Sequence, residues 1–320
     1  MGRYVIRRLL QAIPLLLLVS IFMFLLIHAL PGGPEQVIFN PHLTPAGRAA
    51  LRARFGLDDP PAVQYLKWLK NMITGDFGSS FATNQPVSQI LSQRFPATVE
   101  LFGLAFALAL VFAILLGIIS AIRQNTITDY ILTTVSYFGI AMPAFLLGIF
   151  LQDIFAVQLH LLPVSGTSTS GMSFDAFNSF LDGFLHIILP MLTLSILFVA
   201  GWSRYMRSSM IEVVKQDYIR TARAKGVNMP SILLGHALRN AVIPLITVVA
   251  IDFGAVAGGA VLTEGIFAWP GMGSLFLSSL DSRDFPVLLA VLVLSAILVI
   301  AFNLIADILY AVMDPRIRYS

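Results

Sequence analysis

The sequence predicts an all-α integral membrane protein with six transmembrane helices. Of its 320 residues, 57% are hydrophobic and 12% are charged, and the mean hydropathy is +0.84. A soluble domain carries about 25% charged residues, so this chain has about half the usual share. A helix needs roughly 20 apolar residues to cross a membrane. We place six such spans at residues 9–29, 98–122, 131–158, 185–206, 242–263 and 287–311.

The first span has a basic start that includes Arg7 and Arg8, as a secretory signal peptide would. Its apolar run from Ile13 to Ala29 is longer than the usual signal core of roughly 7–15 residues. Residues 27–29 also make a poor small-x-small cleavage site. We therefore interpret this run as an uncleaved transmembrane helix.

The distribution of lysine and arginine predicts the orientation. Thirteen of the twenty fall on the side of the N-terminus, and six of the other seven lie in one long external loop. Such long loops count little toward the positive-inside rule. Both termini and the loop at 207–241 are therefore expected in the cytoplasm. The net charge of +3 fits cytoplasmic loops better than nucleic-acid binding.

The external insert at residues 30–97 contains three predicted helices, at about 44–56, 62–73 and 84–94, the last of them ahead of Pro96. A Thr-Pro start and a Gly stop mark the first helix. Two functions are considered for the insert. It would form an external cap over a pore, or it would provide a docking surface for a soluble partner. The alternative is a lid that only covers the ends of the spans.

Two further external segments differ in composition. Residues 159–183 are rich in Ser, Thr and Gly and are expected to be irregular. Residues 263–286 contain turn glycines and a tryptophan, which favours a re-entrant or surface-lying hairpin.

A basic insert without acidic residues, "YIRTARAKGVNMPSILLGHALRNAVIP", occupies residues 218–244. No Pro or Gly interrupts residues 211–225, and Gly226 follows as a good C′ residue of a helix. A second helix is expected to begin at Asn228 or Met229. The insert is therefore predicted to form a helix, a glycine turn and a second helix. It is too polar to enter the bilayer.

Such a short amphipathic helix in the cytoplasm can fit a groove on another protein, or it can lie flat on anionic lipid. A lipid-inserting face needs Leu, Phe and Trp, whereas close contact with a protein needs small side chains. The small residues here favour the protein contact; they are Thr221, Ala222, Ala224 and Gly226.

At these residues the chain resembles the permeases of ABC importers. Their cytoplasmic loop carries Glu-Ala-Ala, three residues, Gly, nine residues and Ile-x-Leu-Pro. The matching positions are Ala222, Gly226 and Leu238. The departures are Arg220 for Glu, Thr221 for the first Ala, His236 for Ile and Arg239 for Pro.

The segment "RTARAKG…HALRNAVIP" resembles the same loop in the subfamily that imports dipeptides, oligopeptides and nickel. The segments "RRLLQAIPLLLLVSIFMFLLIHALPGGP", "GDFGSS", "FAWPGMGSLFLSSLDSRDFPV" and "YAVMDPRIRY" agree with it. The resemblance covers essentially the whole chain and is closest to the first of two paired permeases. It implies the type I ABC-importer permease fold.

The resemblance also implies a mechanism and partners. A second permease completes the pore, two cytoplasmic ATPases carry ATP and Mg²⁺, and an external binding protein delivers the solute across a prokaryotic inner membrane. The chain itself would carry no cofactor. Peptides are the expected solute, with nickel or another small solute as the alternative. The residues expected to dock on the ATPase are Tyr218, Arg220, Thr221, Ala222, Arg223, Gly226, His236, Leu238 and Arg239.

Asp252 lies in the middle of the fifth predicted span, where carboxylates are rare and by default indicate function. It would either line the pore or hold the helix bundle together through an interhelical hydrogen bond. No metal site is expected, because His28, His160 and His186 lack ligand spacing and the chain has no cysteine.

Two other classes of membrane protein fit less well. A six-span serine protease would need an activated serine with a nearby base, and no such dyad is evident. An ion-coupled secondary transporter usually shows intramembrane charge relays or internal repeats, and we find no repeat. The phosphate-binding pattern G-x-x-x-x-G-K-[ST] does not occur, so the chain is not expected to be its own ATPase.

Overall fold

A computed structural model describes residues 2–29, 58–169, 171–172, 174–253 and 260–313. Within these ranges the chain is helical, and one isolated bridge between Ser79 and Pro86 is the sole strand-like pairing. The helices are α1 (Gly2–Ala29), α2 (Pro61–Ile73), α3 (Val87–Ile122), α4 (Ile127–Ala141), α5 (Ala144–Gln152), α6 (Ala176–Val214), α7 (Asp217–Ala224), α8 (Leu238–Phe253), α9 (Val261–Ile266), α10 (Met272–Asp281) and α11 (Phe285–Met313). A π-helical segment, Asp153–Gln158, continues α5, and a helical turn, Met229–Ser231, and a second π-helical segment, Ile232–Ala237, precede α8.

Four helical segments of the described chain are long and apolar enough to cross a membrane, and a bent pair adds a fifth. The four are Val87–Ile122, Ala176–Val214, Met229–Phe253 and Phe285–Ile305. Helix α1 has a shorter apolar stretch, Leu10–Leu26. The helical membrane fold is as expected from the sequence, while the count of six spans stays a prediction.

The third predicted span, at 131–158, is not one straight helix. Helix α4 ends at Ala141, and the chain bends by 103° before α5 begins at Ala144. Met142 is extended, with ψ at 123°, and Pro143 follows it. A proline disfavours the helical conformation in the residue before it, because its ring clashes with that residue. The span predicted at 131–158 is therefore a bent pair of helices in the structure.

The external insert is described only in its second half. The predicted helix at 62–73 is confirmed as α2, whereas the one at 44–56 lies outside the described residues. The predicted separate helix at 84–94 is instead the beginning of α3, which runs through Pro96 without a break. The early turns of α3 are held by packing, as Val87 and Ile90 are buried in a hydrophobic cluster. That packing offsets the hydrogen bond that proline removes.

Two predicted loops contain more helix than expected. The irregular region at 159–183 ends early, because α6 begins at Ala176. Asp175 caps it by accepting a hydrogen bond from the backbone N–H of Asn178 at 3.0 Å. The segment at 263–286 consists largely of α9, a turn and α10, and its re-entrant or surface-lying placement stays a prediction.

The described chain divides into two units. The first holds α1, α2, the start of α3, α10 and most of α11. In this unit Phe24 of α1 packs against Tyr65 and Trp68 of α2, with the rings of Phe24 and Tyr65 5.4 Å apart. Asp284, buried at the start of α11, accepts hydrogen bonds from the Ser80 hydroxyl and from the backbone N–H of Phe81. The segment before α3 is thereby fixed to the start of α11.

The second unit holds the remainder of α3 together with α4 to α9. Helix α6 is at its centre and packs against α4, α5 and α8. Helices α3 and α6 approach closely at Gly117, where an added Cβ would lie 2.6 Å from the Cβ of Met206. Small residues permit such close approach between helices in a membrane, where van der Waals packing drives association.

Candidate functional site

A break in the helix, not predicted from the sequence, lies just before the basic insert. Helix α6 ends at Val214, and α7 starts at Asp217 after an extended Gln216 with ψ at 151°. The expectation of one helix across 211–225 was therefore wrong. The break redirects the chain so that Ile219 of α7 is fully buried. Burial of an isoleucine side chain contributes about 1.5–3 kcal/mol, which offsets the hydrogen bonds lost at the break.

Helix α7 stops ahead of Gly226, which is its C′ residue as predicted. Gly226 has a φ of +80°, its N–H donates to the carbonyl of Arg223 at 2.9 Å, and the N–H of Val227 donates to Ala222 at 3.2 Å. This pair of bonds defines a Schellman motif with glycine at C′. An added Cβ at Gly226 would meet nothing within 4 Å. Glycine is therefore required by the backbone conformation and not by packing within the chain.

The second half of the insert is anchored to the first. Asn228 caps the next helical turn by accepting a hydrogen bond from Ser231 N at 3.0 Å, as the sequence indicated. The π-helical segment that follows packs against α7, and its Ile232 and Ala237 are fully buried. Asn240 donates from Nδ2 to the hydroxyl of Tyr218 at 2.9 Å. The insert is a folded unit with a fixed tip.

Most of the predicted docking residues lie on the outside of this unit. Ala222 and Leu238 are partly buried, and the others are exposed. Arg220 is 75% exposed and pairs only loosely with Asp217, at 3.6 Å. The exposed ones are Tyr218, Arg220, Thr221, Arg223, Gly226, His236 and Arg239. The structure brings the α7 members together and leaves their polar side chains facing outward.

A buried ion pair close to the insert was not predicted. Arg207 of α6 binds Asp129 of α4 through two parallel bonds, from Nε and from Nη2, each 2.8 Å long. Asp129 is 3% exposed in its side chain and also accepts from the Ser120 hydroxyl and from the Asn125 N–H, the latter at 3.0 Å. We name these four residues the Asp129 cluster.

The Asp129 cluster ties the ends of three helices together, namely α3, α4 and α6. Asn125 takes the left-handed conformation, with φ at +64°, in the turn between α3 and α4. From the sequence, Arg207 is only one of the thirteen basic residues on the side of the N-terminus. The available signal was an aspartate at the third position of an apolar helix, yet nothing local identified a partner 78 residues away.

Asp252 is bound to another helix. It is partly buried on α8, and its Oδ2 accepts a hydrogen bond from Nε1 of Trp202 on α6 at 2.6 Å. Trp202 is almost fully buried and belongs to an aromatic cluster with Phe106, Phe198 and Phe253. This geometry matches the interhelical hydrogen bond that was one of the two alternatives for Asp252.

Two protein families match this chain, one over its N-terminal part and one over the remainder. Residues 113–319 match the family of binding-protein-dependent transport system inner membrane components. The chain belongs to this family. Residues 1–102 of this permease match a second family, the N-terminal part of membrane components of binding-protein-dependent transport systems.

Three relatives are similar to the permease over its whole length. It is 44% identical over 320 residues to the oligopeptide transport system permease protein AppB of Bacillus subtilis, with all of both chains covered. It is 39% identical to the glutathione transport system permease protein GsiC of Salmonella paratyphi A, and 40% identical to the probable peptide ABC transporter permease protein y4tP of Sinorhizobium fredii, again with full coverage of each chain. The permease is thus a multi-pass membrane component of an ABC importer, as its sequence resemblance implied.

We expect the Asp252→Asn permease to assemble normally, because the amide oxygen can still accept the Trp202 hydrogen bond. Asp252→Leu should instead destabilise the permease by about 1–3 kcal/mol, since it leaves a buried indole N–H without a partner. Thermal unfolding of the purified complex measures both variants. Transport by Asp252→Asn decides the other role: unchanged transport would rule out a required charge in the pore.

Proposed function

We propose that this permease forms one half of the translocation pathway of an ATP-driven importer of short peptides. A homologous second permease completes the pathway, an extracytoplasmic binding protein delivers the peptide, and two cytoplasmic ATPase subunits bind ATP and Mg²⁺. The ATP chemistry belongs to those subunits, and this chain supplies no catalytic residue or cofactor. The relatives named for oligopeptide and glutathione transport, similar over the whole chain, support peptides as the solute class.

The observation that carries the proposal is the outward-facing tip of the basic insert. The eight-residue helix α7 is braced from behind by Ile219 and ends in the Schellman turn at Gly226. Its outer surface combines the cations Arg220 and Arg223 with the exposed ring of Tyr218, which is 43% exposed. A short helix with this mixture is suited to a groove with apolar walls and an acidic rim on another protein.

The Asp129 cluster supports transmission of movement from that tip. Only two residues separate α7 from α6, so a displacement of α7 acts directly on the end of α6. Arg207 then joins α6 to α4 and to the α3–α4 turn through charge-assisted bonds. In this mechanism, closure of the ATPases displaces α7, and the three joined helices move as one body between inward-open and outward-open states.

Uptake into liposomes tests the solute class. We expect the purified complex, with ATP inside and the peptide-loaded binding protein outside, to accumulate short labelled peptides and not Ni²⁺. Mass spectrometry of the solute that co-purifies with the binding protein provides the independent measurement. Accumulation of Ni²⁺ without peptide would leave the permease assignment intact and reject the peptide.

Labelling of a single cysteine tests the orientation. The chain has no cysteine of its own, so Asn228→Cys reports on the tip of the basic insert alone. We propose that both termini and residues 207–241 lie in the cytoplasm. A membrane-impermeant maleimide should therefore label Cys at this position in inverted vesicles but not in intact spheroplasts. Labelling from outside would reverse the topology.

A further inference from the structure

Two adjoining cavities lie among α3, α4 and α6, on the side of the second unit that carries the Asp129 cluster. The larger has a volume of about 290 Å³ and the smaller about 170 Å³. They share three lining residues, Leu116, Leu132 and Ser136. They therefore form one continuous cleft with two chemically different ends.

The larger cavity is a hydrocarbon slot. On α3 its wall is formed at i, i+4 and i+8 by Leu108, Phe112 and Leu116, and on α6 the matching stripe is Leu192, Ile196 and Ala200. Residues at these spacings lie along one face of a helix. The other lining residues are Leu132, Val135, Ser136, Gly139, Ser195 and Val199.

The smaller cavity is polar and lies at the end of the slot nearest the basic insert. Arg204 and Arg207 line it together with several hydroxyl groups, which belong to Ser120, Thr133, Ser136, Tyr137, Ser203 and Ser208. Arg207 is matched by Asp129, but the salt bridges of the described chain do not include Arg204. The guanidinium of Arg204 is exposed and lies 5.7 Å from the ring centre of Tyr137. The polar end therefore carries an excess positive charge.

We propose that this cleft binds an anionic phospholipid of the cytoplasmic leaflet. One acyl chain lies in the hydrocarbon slot, and the phosphate lies at the polar end beside Arg204 and the hydroxyl groups of Ser203 and Ser208. Basic pockets between transmembrane helices on the cytoplasmic side are suited to anionic headgroups. The proposal rests on the orientation given above, which places this end of α6 at the cytoplasmic surface.

The dimensions agree with a lipid chain. The whole cleft, slot and polar end together, follows α3 from Leu108 to Ser120 for twelve residues, or about 18 Å at 1.5 Å per residue. Half of the hydrocarbon core of a bilayer is about 15 Å thick. A transported peptide carries a charge at each end, while the slot offers charge at one end only.

The test uses the assembled transporter in nanodiscs of phosphatidylcholine that contain a small fraction of phosphatidylglycerol with a photoreactive acyl chain. We expect crosslinks on α4 and on residues 192–200 of α6. A phosphatidylcholine probe with the same acyl chain should give much weaker labelling. Arg204→Gln should lower phosphatidylglycerol labelling about five-fold, since a cation near the membrane surface contributes about 1 kcal/mol to anionic lipid binding.

Matched controls separate this site from general attraction of lipid. Val135 and Val111 are both exposed valines on membrane helices, at 63% and 55%, but only Val135 lines the slot. Val135→Trp should therefore reduce labelling, and Val111→Trp should not. Arg123→Gln removes an exposed arginine outside both cavities and should leave labelling unchanged.

Equal labelling by the two probes, or labelling that Arg204→Gln and Val135→Trp leave intact, overturns the proposal. Crosslinks from a photoreactive residue at position 135 to the second permease would assign the slot to that subunit instead. These readouts need neither peptide nor ATP. A complex that transports peptide but does not bind phosphatidylglycerol therefore rejects the lipid site alone, and the reverse result rejects the transport function alone.

Discussion

We expect the Gly226→Val permease to reach the membrane in normal amount and to lose transport. Gly226 lies in a polar turn ahead of the candidate span Met229–Phe253, so we do not expect membrane insertion to depend on this residue. A residue with a Cβ is disfavoured in the left-handed conformation by about 1–2 kcal/mol. That penalty falls on the Schellman turn, whose Val227–Ala222 and Gly226–Arg223 hydrogen bonds define the tip of α7. A penalty of this size lowers the ratio of native to non-native conformations of the turn about five- to thirty-fold.

Two companion variants identify the cause of the loss. Asn tolerates the left-handed conformation better than other residues with a side chain, so Gly226→Asn should keep much of the transport. Met229→Ala removes part of an exposed neighbour without altering the turn and should have little effect. The measurements are uptake, copurification with the ATPase and stimulation of ATP hydrolysis by the loaded binding protein. Normal values of all three for Gly226→Val would show that the turn does not transmit movement.

Arg207→Ala should produce the largest loss of stability. It leaves the carboxylate of Asp129 buried without its cation, and removal of one partner from a buried ion pair costs about 3–5 kcal/mol. Arg207→Lys should restore only part of the loss, because lysine cannot form the two parallel bonds that the guanidinium makes. Thermal unfolding of the purified complex measures these differences.

The exposed pair of Asp217 and Arg220 provides the matched control. Its side chains are 96% and 75% exposed, so Arg220→Ala should change stability by less than about 1 kcal/mol. The double variant Asp129→Asn with Arg207→Ala removes the buried carboxylate together with its partly buried cation and should recover part of the loss. If Arg207→Ala unfolds at the same temperature as the native permease, the Asp129 cluster does not hold the three helices together.

Features that depend on contiguous residues could be predicted from the amino-acid sequence. Long apolar runs predicted the membrane helices. A bilayer offers no water to the backbone N–H and C=O groups, so an apolar segment that crosses it forms a helix, which bonds these groups to each other. Gly226 and Asn228 predicted the stop of one helix and the start of the next, since caps act over three or four residues. The sequence of residues 220–244 indicated the permease family, because it resembles the cytoplasmic loop of such permeases.

The breaks within these segments and the contacts between them could not be predicted, because they depend on residues far apart in the sequence. The break before Asp217 follows from the burial of Ile219, and α3 continues past Pro96 because its first turns are packed. The Trp202–Asp252 bond spans 50 residues of sequence, and the Arg207–Asp129 pair spans 78. Such partners have no local signature, because helix packing alone determines which polar side chains meet in an apolar bundle.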